Sequence, residues 1–368
     1  MYNTKFFKET YALKQKIVSG QLTTDDASMI SETFSDHMSK TPHVFNIETT
    51  NYCNMTCVMC QRTADLQRPL RHMDLKTYKA VVDSMQPVSD EEMNDWQAFV
   101  NNHLRKDRAP SENNFYYDVI SKCVTLHGFG APLLDPLLPE RVEMLTRKKI
   151  PSYFSETPAN IRLDLIKNLF DAGVAYIKFA VDSLDDDCTK EIRGKQADFT
   201  KSYQKILEVL ALKEKMKAKT TIVVTMLDFY GDYSPQSEPY RFLKLWEGRD
   251  VYVFVKTVDN KWLLDQKGAA QKAQGENQNH YSKQYCEFPW TSVTILVDGS
   301  VVPCTQDVNG EWTFGNVNEE PLEKIWQSEK FKEFRKMHIT GEFPADFMCH
   351  TKCDLNRVSQ FLNGVLVK

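Results

Sequence analysis

Three cysteines crowd into one short stretch, Cys53-Asn-Met-Thr-Cys57-Val-Met-Cys60, and nothing else in the 368-residue chain restricts its chemistry as much. Thiols this close in sequence call for crosslinks or for a shared metal. Six further cysteines, at 123, 188, 286, 304, 349 and 353, bring the total to an odd nine. The opening MYNTKFFKETYALKQK lacks the charged-then-apolar layout of a signal peptide. A secreted disulfide scaffold is therefore not expected, and the chain reads as a cytoplasmic protein whose reduced thiols ligate metal or react. No apolar run approaches the roughly 20 residues that span a bilayer. A net charge of -4 gives no global drive toward nucleic acid or an anionic membrane, so neither is expected as a partner.

The trio follows VFNIETTN, in which Val44, Asn46 and Glu48 alternate with Phe45, Ile47 and Thr49, so it occupies a loop just after a strand. Three soft thiolates can grip three corners of an iron-sulfur cube and leave the fourth iron without a protein ligand. A zinc ion completed by a distant His or Cys is the other reading of the same residues.

Downstream, strands alternate with helices. DLKTYKAVVDSM from Asp74 has a helix-starting Asp and helical apolar spacing, and a strand from Cys123 ends in the turn Phe129-Gly130-Ala131-Pro132. A strand from Ile150 leads through a Pro turn into a helix ended by Gly173, and VAYIKFAVDS, Thr220 to Leu227 and Asp250 to Lys256 supply further strands. Such alternation implies a parallel sheet with right-handed crossovers.

C-x3-C-x2-C in a loop after the first strand resembles the signature of the radical S-adenosylmethionine (SAM) enzymes, and the resemblance extends over roughly Phe45 to Lys256. It implies an α/β fold, a partial (β/α)6 TIM-like barrel whose chemistry gathers at the carboxyl ends of the strands. It also implies that Cys53, Cys57 and Cys60 hold a [4Fe-4S] cluster that chelates SAM, with Gly130 and Ala131 bringing backbone near the methionyl amino group. Ala131 replaces the Glu usual at that turn. Ser155, Asn160, Asp182, Ser183 and Arg193 fall where the family places polar contacts to the ribose and carboxylate, although Asn160 equally suits helix capping and Arg193 a surface ion pair. Met59 stands where many relatives carry an aromatic residue that packs on adenine.

In the last quarter, TSVTILVDGSVVPC reads as a β-hairpin turning at Asp298-Gly299, which draws Cys286 and Cys304 together, and Cys349 and Cys353 follow a helical stretch. This part resembles the SPASM and twitch extensions of radical SAM enzymes. Its cysteines, Cys286, Cys304, Cys349 and Cys353, suffice for one fully ligated auxiliary [4Fe-4S] cluster; four cysteines also suit structural zinc. The expected units are a helical extension over 1–43, the barrel over 44–257 with an insertion at about 86–121, and a linker with a small β-hairpin/helix domain holding the auxiliary cluster over 258–368.

The resemblance implies reductive cleavage of SAM to a 5′-deoxyadenosyl radical, fed by a flavodoxin or ferredoxin-type electron donor, and hydrogen abstraction from a substrate C–H bond. An auxiliary cluster that accepts an electron makes the outcome a dehydrogenation. A thiol that returns hydrogen, with Cys123 and Cys188 as the unassigned candidates, makes it an epimerisation. The 43 residues before the barrel are too few for the leader-peptide domain of peptide-modifying relatives, so the expected substrate is a small polar molecule: a sugar, aminocyclitol or nucleotide-linked sugar. The alternatives are a peptide maturase and, outside enzymes, a zinc-stabilised binding protein.

Overall fold

The computed structural model describes residues 1–229, 234–257 and 286–351. Six strands, β1 (His43–Ile47), β2 (Val124–Thr125), β3 (Ser152–Glu156), β4 (Tyr176–Ala180), β5 (Thr221–Asp228) and β6 (Tyr252–Thr257), pair in parallel in chain order. They form the expected open barrel. Its outer face is covered by amphipathic helices such as α5 (Leu75–Ser84), α8 (Leu138–Arg147), α9 (Leu163–Ala172) and α11 (Phe199–Met216), whose buried sides join one large apolar core. Asp74 caps α5 through its carboxylate, and α9 ends at Gly173 in the left-handed conformation, as the sequence led us to expect.

The hairpin also forms: β7 (Ser292–Ile295) and β8 (Ser300–Val302) are antiparallel, with Gly299 at φ +88° in the turn. It does not stand apart from the barrel. β7 pairs in parallel with β1, register His43 to Ser292 through Ile47 to Ile295, so the hairpin and β9 (Gly315–Asn316) extend the barrel sheet past its first strand.

Residues 86–121 are not a loose surface loop. Ser89 caps α6 (Asp90–His103), whose first turn is acidic. Its Trp96 and Val100 share a second core with Phe6, Phe7 and Ile17 of the N-terminal helices α1 (Thr4–Glu9) and α2 (Tyr11–Val18) and with Trp290 and Ile339 of the C-terminal unit. The next segment, α7 (Glu112–Phe115) running into a π-helical turn over Tyr116–Ile120, enters the barrel from the amino ends of the strands. Phe115, Val119 and Ile120 pack there with Cys123, Tyr153, Val223 and Phe254, closing the floor of the lumen. No helix among the described residues is long and apolar enough to cross a membrane.

Candidate active site

β1 leads into the cysteine loop through Glu48, which is completely buried although it carries a charge. Arg68 forks onto it with two bonds of 2.8 and 2.9 Å, and the backbone N–H groups of Phe129 and Val297 donate to the same carboxylate at 3.2 and 3.0 Å. One side chain thus ties the cysteine loop, the turn after β2 and the hairpin end together. Sequence alternation gave no sign of this role.

The loop itself is clamped from two sides. Ala131 donates its N–H to the carbonyl of Tyr52 at 2.7 Å, and a Cβ built on Gly130 would lie 2.0 Å from the carbonyl oxygen of Thr50. Only glycine allows that approach. From the other side, Thr56 and Val58 donate to the carbonyls of Arg193 and Ile192, and a Cβ on Gly194 would strike Thr56 Oγ1 at 2.3 Å. Gly130, Ala131 and the Arg193-Gly194 pair therefore shape the loop.

Cys53, Cys57 and Cys60 come together in one small apolar cluster with Met55, Met59, Ala159 and Ala197. Burial pushes the Cys57 thiol up to about 11, against the pull of Arg193, and Cys53 is also raised by burial. Thiols sheltered this way become thiolates only when cations bind them, which suits a soft, three-sulfur cluster corner. Among the described residues no group of three or more His, Cys, Asp or Glu converges on a single metal ion.

The other expected residues fall around this loop. Arg193 pairs with the buried Asp182 and lies 3.9 Å from Cys57 Sγ, and Asp182 also accepts from the N–H of Leu227. Asn160 bonds Asn54 and Glu156, and Ser183 donates to Glu238, so both hold loops together. Ser155 lines the lumen, whereas Met59 packs on the cysteine trio. A carboxylate does reach the turn that lacks its usual Glu, but from β3: Glu156 accepts the N–H groups of Leu133 and Thr157, and burial raises it to about 7.

Inside the barrel is a cavity of about 400 Å³. Its wall runs from Arg193 at the trio to Cys304 in the C-terminal unit, above the floor residues Glu112, Phe115 and Tyr116. Lys178 and Lys256 face it, the latter paired with Glu112 at 2.8 Å. Three buried polar atoms of its lining residues, Asn46 Nδ2, Thr125 Oγ1 and Thr294 Oγ1, have no hydrogen-bond partner among the described residues. Neither Cys123, which is wholly buried in the floor, nor Cys188 on α10 (Asp186–Arg193) lines the cavity.

In the C-terminal unit, Cys286 and Cys304 are close enough that each thiolate would repel the other, and burial pushes them up to about 12 and 11. Cys304 and Cys349 pack against the same core, with Cys349 Sγ 3.7 Å from His338 Nε2. Cys353 and, apart from Thr257, the linker expected from Thr257 to Gln284 lie outside the described residues.

The class these features define is a parallel barrel with three thiols gathered in the loop after its first strand and a cysteine-flanked hairpin docked on that strand. Residues 286–354 match the SPASM family, an iron-sulfur cluster-binding domain. The fold is similar to that of Streptococcus suis SuiB bound to S-adenosylmethionine, at 12% identity over 96% of this chain and 82% of that one, with a TM-score of 0.52. BtrN in complex with AdoMet and 2-DOIA aligns over 84% of this chain and 96% of that one at 16% identity, with a TM-score of 0.43. The S-adenosyl-L-methionine-dependent 2-deoxy-scyllo-inosamine dehydrogenase of Niallia circulans is 34% identical over 64 residues, a match spanning 17% of this chain and 26% of that protein. The chain thus carries a SPASM-type iron-sulfur cluster-binding domain over 286–354, joined to a barrel whose fold is similar to that of an S-adenosylmethionine-binding protein.

Proposed function

We infer that this chain is a radical SAM oxidoreductase that dehydrogenates a small polyhydroxylated substrate, a sugar or an aminocyclitol. The observation that carries this reading is the lumen. It is small, floored by α7, lined by polar atoms that need partners, and it reaches from the trio to Cys304. Pockets of this size suit one small molecule beside a cofactor.

In this reading Cys53, Cys57 and Cys60 hold the SAM-binding [4Fe-4S] cluster, and Cys286, Cys304, Cys349 and Cys353 hold the auxiliary one. When bound, SAM and the clusters supply hydrogen-atom abstraction at a substrate carbon and a one-electron acceptor. The chain's own residues do the rest. Arg193, Asp182 and the clamped Gly130-Ala131 turn would hold the methionyl carboxylate, the ribose hydroxyls and the amino group, respectively. Met59, Ser155, Asn160 and Ser183 fix the walls around them. The floor over 112–120 excludes water and sets the depth at which the substrate stops. With SAM and the clusters bound, a carbinol carbon could give its hydrogen atom to the 5′-deoxyadenosyl radical, its hydroxyl proton to solvent and one electron to the auxiliary cluster that Cys286, Cys304, Cys349 and Cys353 would hold, leaving a carbonyl. The two thiols not assigned to a cluster, Cys123 and Cys188, do not line the lumen, which favours dehydrogenation over epimerisation. An external flavodoxin or ferredoxin-type donor supplies the first electron. The units 1–43, 44–257 and 258–368 serve as buttress, catalytic barrel and auxiliary-cluster unit.

The test is anaerobic incubation of the reconstituted protein with dithionite, SAM and 2-deoxy-scyllo-inosamine or a related polyol deuterated at the carbinol carbon. About eight irons per chain are expected for two cubes, with deuterium entering 5′-deoxyadenosine one-for-one with a keto product. A zinc-only protein, or an epimer carrying solvent hydrogen, would refute the dehydrogenase assignment.

A further inference from the structure

His127 leaves β2 two residues beyond its last paired position and lines the lumen. Its Nδ1 accepts the backbone N–H of Ser155 at 3.1 Å, and its ring stands edge-to-face on Tyr153 at 5.4 Å. A backbone amide can only donate, so the Nδ1 atom in that bond carries a lone pair, and the proton of the neutral ring sits on Nε2. The main chain of β3 thereby selects the tautomer. Ser155 is in register with Lys178 on β4, which sets His127, Ser155 and Lys178 in one row across three adjacent strands, all lining the lumen. Burial first, and the Lys178 ammonium second, hold the imidazole down to about 3, so it stays uncharged through the neutral range. His127 Nε2–H makes no hydrogen bond to another described side chain or backbone group, and the cavity lies beside it.

We propose that His127 is a substrate-binding residue that presents a fixed Nε2–H donor to an oxygen of the substrate, at the level of the barrel shared with Ser155 and Lys178. This inference rests on the reading of the lumen as a polyol site and adds an orientation to it. A hydroxyl or carbonyl oxygen can accept from that N–H. A protonated amine cannot accept, and it would meet the Lys178 ammonium as well. An aminocyclitol is therefore held with a hydroxyl toward β2 and its amino group turned away. Nothing in this requires the ring to take up or release a proton.

The test combines spectroscopy on the unmodified protein with two variants. In the cluster-loaded protein with SAM present, ¹⁵N-histidine spectra should show His127 protonated at Nε2 and bare at Nδ1, unchanged between pH 8 and 5. Titration with 2-deoxy-scyllo-inosamine should shift the Nε2–H signal. His127→Phe should weaken binding of this probe about tenfold, the effect of one lost hydrogen bond of roughly 1.4 kcal/mol. His127→Gln, which keeps a donor, should recover most of the loss, and SAM affinity should be unaltered in both. An Nδ1–H ring, or equal affinity of the Phe variant, in a protein that binds the probe would overturn the inference alone. Failure of the unmodified protein to bind the probe would instead overturn the polyol reading and the inference with it.

Discussion

Glu48 shows how much a single residue can carry without announcing itself. It sits in a strand pattern that alternation explains adequately, yet its partners lie 20, 81 and 249 residues away in the chain. No local rule could pair it with them. Glu48→Gln would set an amide donor against Arg68 or the Val297 N–H, leaving a guanidinium with no countercharge. The expected cost is about 3 kcal/mol in urea unfolding, by analogy with other broken buried pairs. Iron content should fall at both cysteine sites rather than one, because the residue ties the two loops together. His127 has a consequence for stability as well as binding. Its folded pKa of about 3 lies below the ordinary 6.5, so the unfolded chain takes up the proton first as pH falls. The stabilisation is complete above pH 6.5 and drains away between 6.5 and 3, with a slope approaching about 1.4 kcal/mol per pH unit. His127→Gln should flatten the fall of the urea midpoint between pH 6.5 and 4.5, and an unchanged slope would show that the ring is not buried as described.

At the scale of elements, the segment entering the barrel from below decides what the lumen can accept. Phe115 touches the rings of Tyr153, Tyr252 and Phe254 at 5.4 to 5.8 Å and has little exposure. Phe115→Ala should cost about 3 kcal/mol as a large-to-small core change and deepen the cavity. Steady-state kinetics should then show a raised KM for the small substrate, with SAM cleavage in its absence retained; an unaltered KM would mean that the floor does not meet the substrate. Much of this architecture was legible. Period-2 and helical patterns located the barrel strands, Asp74 and Gly173 marked helix ends, and the cysteine spacing pointed to the loop that the strands present. The signals for α6 were present too: Ser89 at its start, acids in its first turn, and Trp96, Val100 and His103 at helical spacing. They were obscured by the charge of the segment. The π-helical turn over Tyr116–Ile120 had no such signal, since it depends on rings contributed by four strands of the barrel. Gly130 illustrates a third case, where the turn drew notice in the sequence but its contact with the Thr50 backbone could only be seen once the loop was folded.

For the whole molecule, the question is why a barrel, an N-terminal helical segment and a cluster-binding unit hold one arrangement. The sheet supplies part of the answer through the β1–β7 pairing. The shared core of Phe6, Phe7, Trp96 and Trp290 supplies more. Between these units lies the Lys14–Glu287 ion pair, 2.7 Å long and nearly inaccessible to solvent, with the Lys14 ammonium 3.4 Å from the centre of the Phe7 ring. Burial drives the Glu287 carboxyl up and the Lys14 ammonium down, and Glu287 Oε1 has no hydrogen-bond partner among the described residues. A pair this dry and incompletely bonded costs nearly as much to desolvate as its attraction returns, so its value lies in fixing the register between the N-terminal helices and the residue after Cys286. A double-mutant cycle separates the two contributions. Lys14→Met alone should destabilise by about 3 to 5 kcal/mol, because it strands a buried carboxylate. Glu287→Leu alone should cost a similar amount. The double variant should recover most of the loss in denaturant unfolding, or exceed the parent, since two apolar side chains then fill the site. If register is what the charges specify, the double variant should be stable yet bind iron less completely at Cys286 than at Cys57, as read by cluster content after anaerobic reconstitution. Full loading of both sites would show that the surrounding aromatic core fixes the arrangement without the pair, and additive single losses would show that the two charges never cooperated.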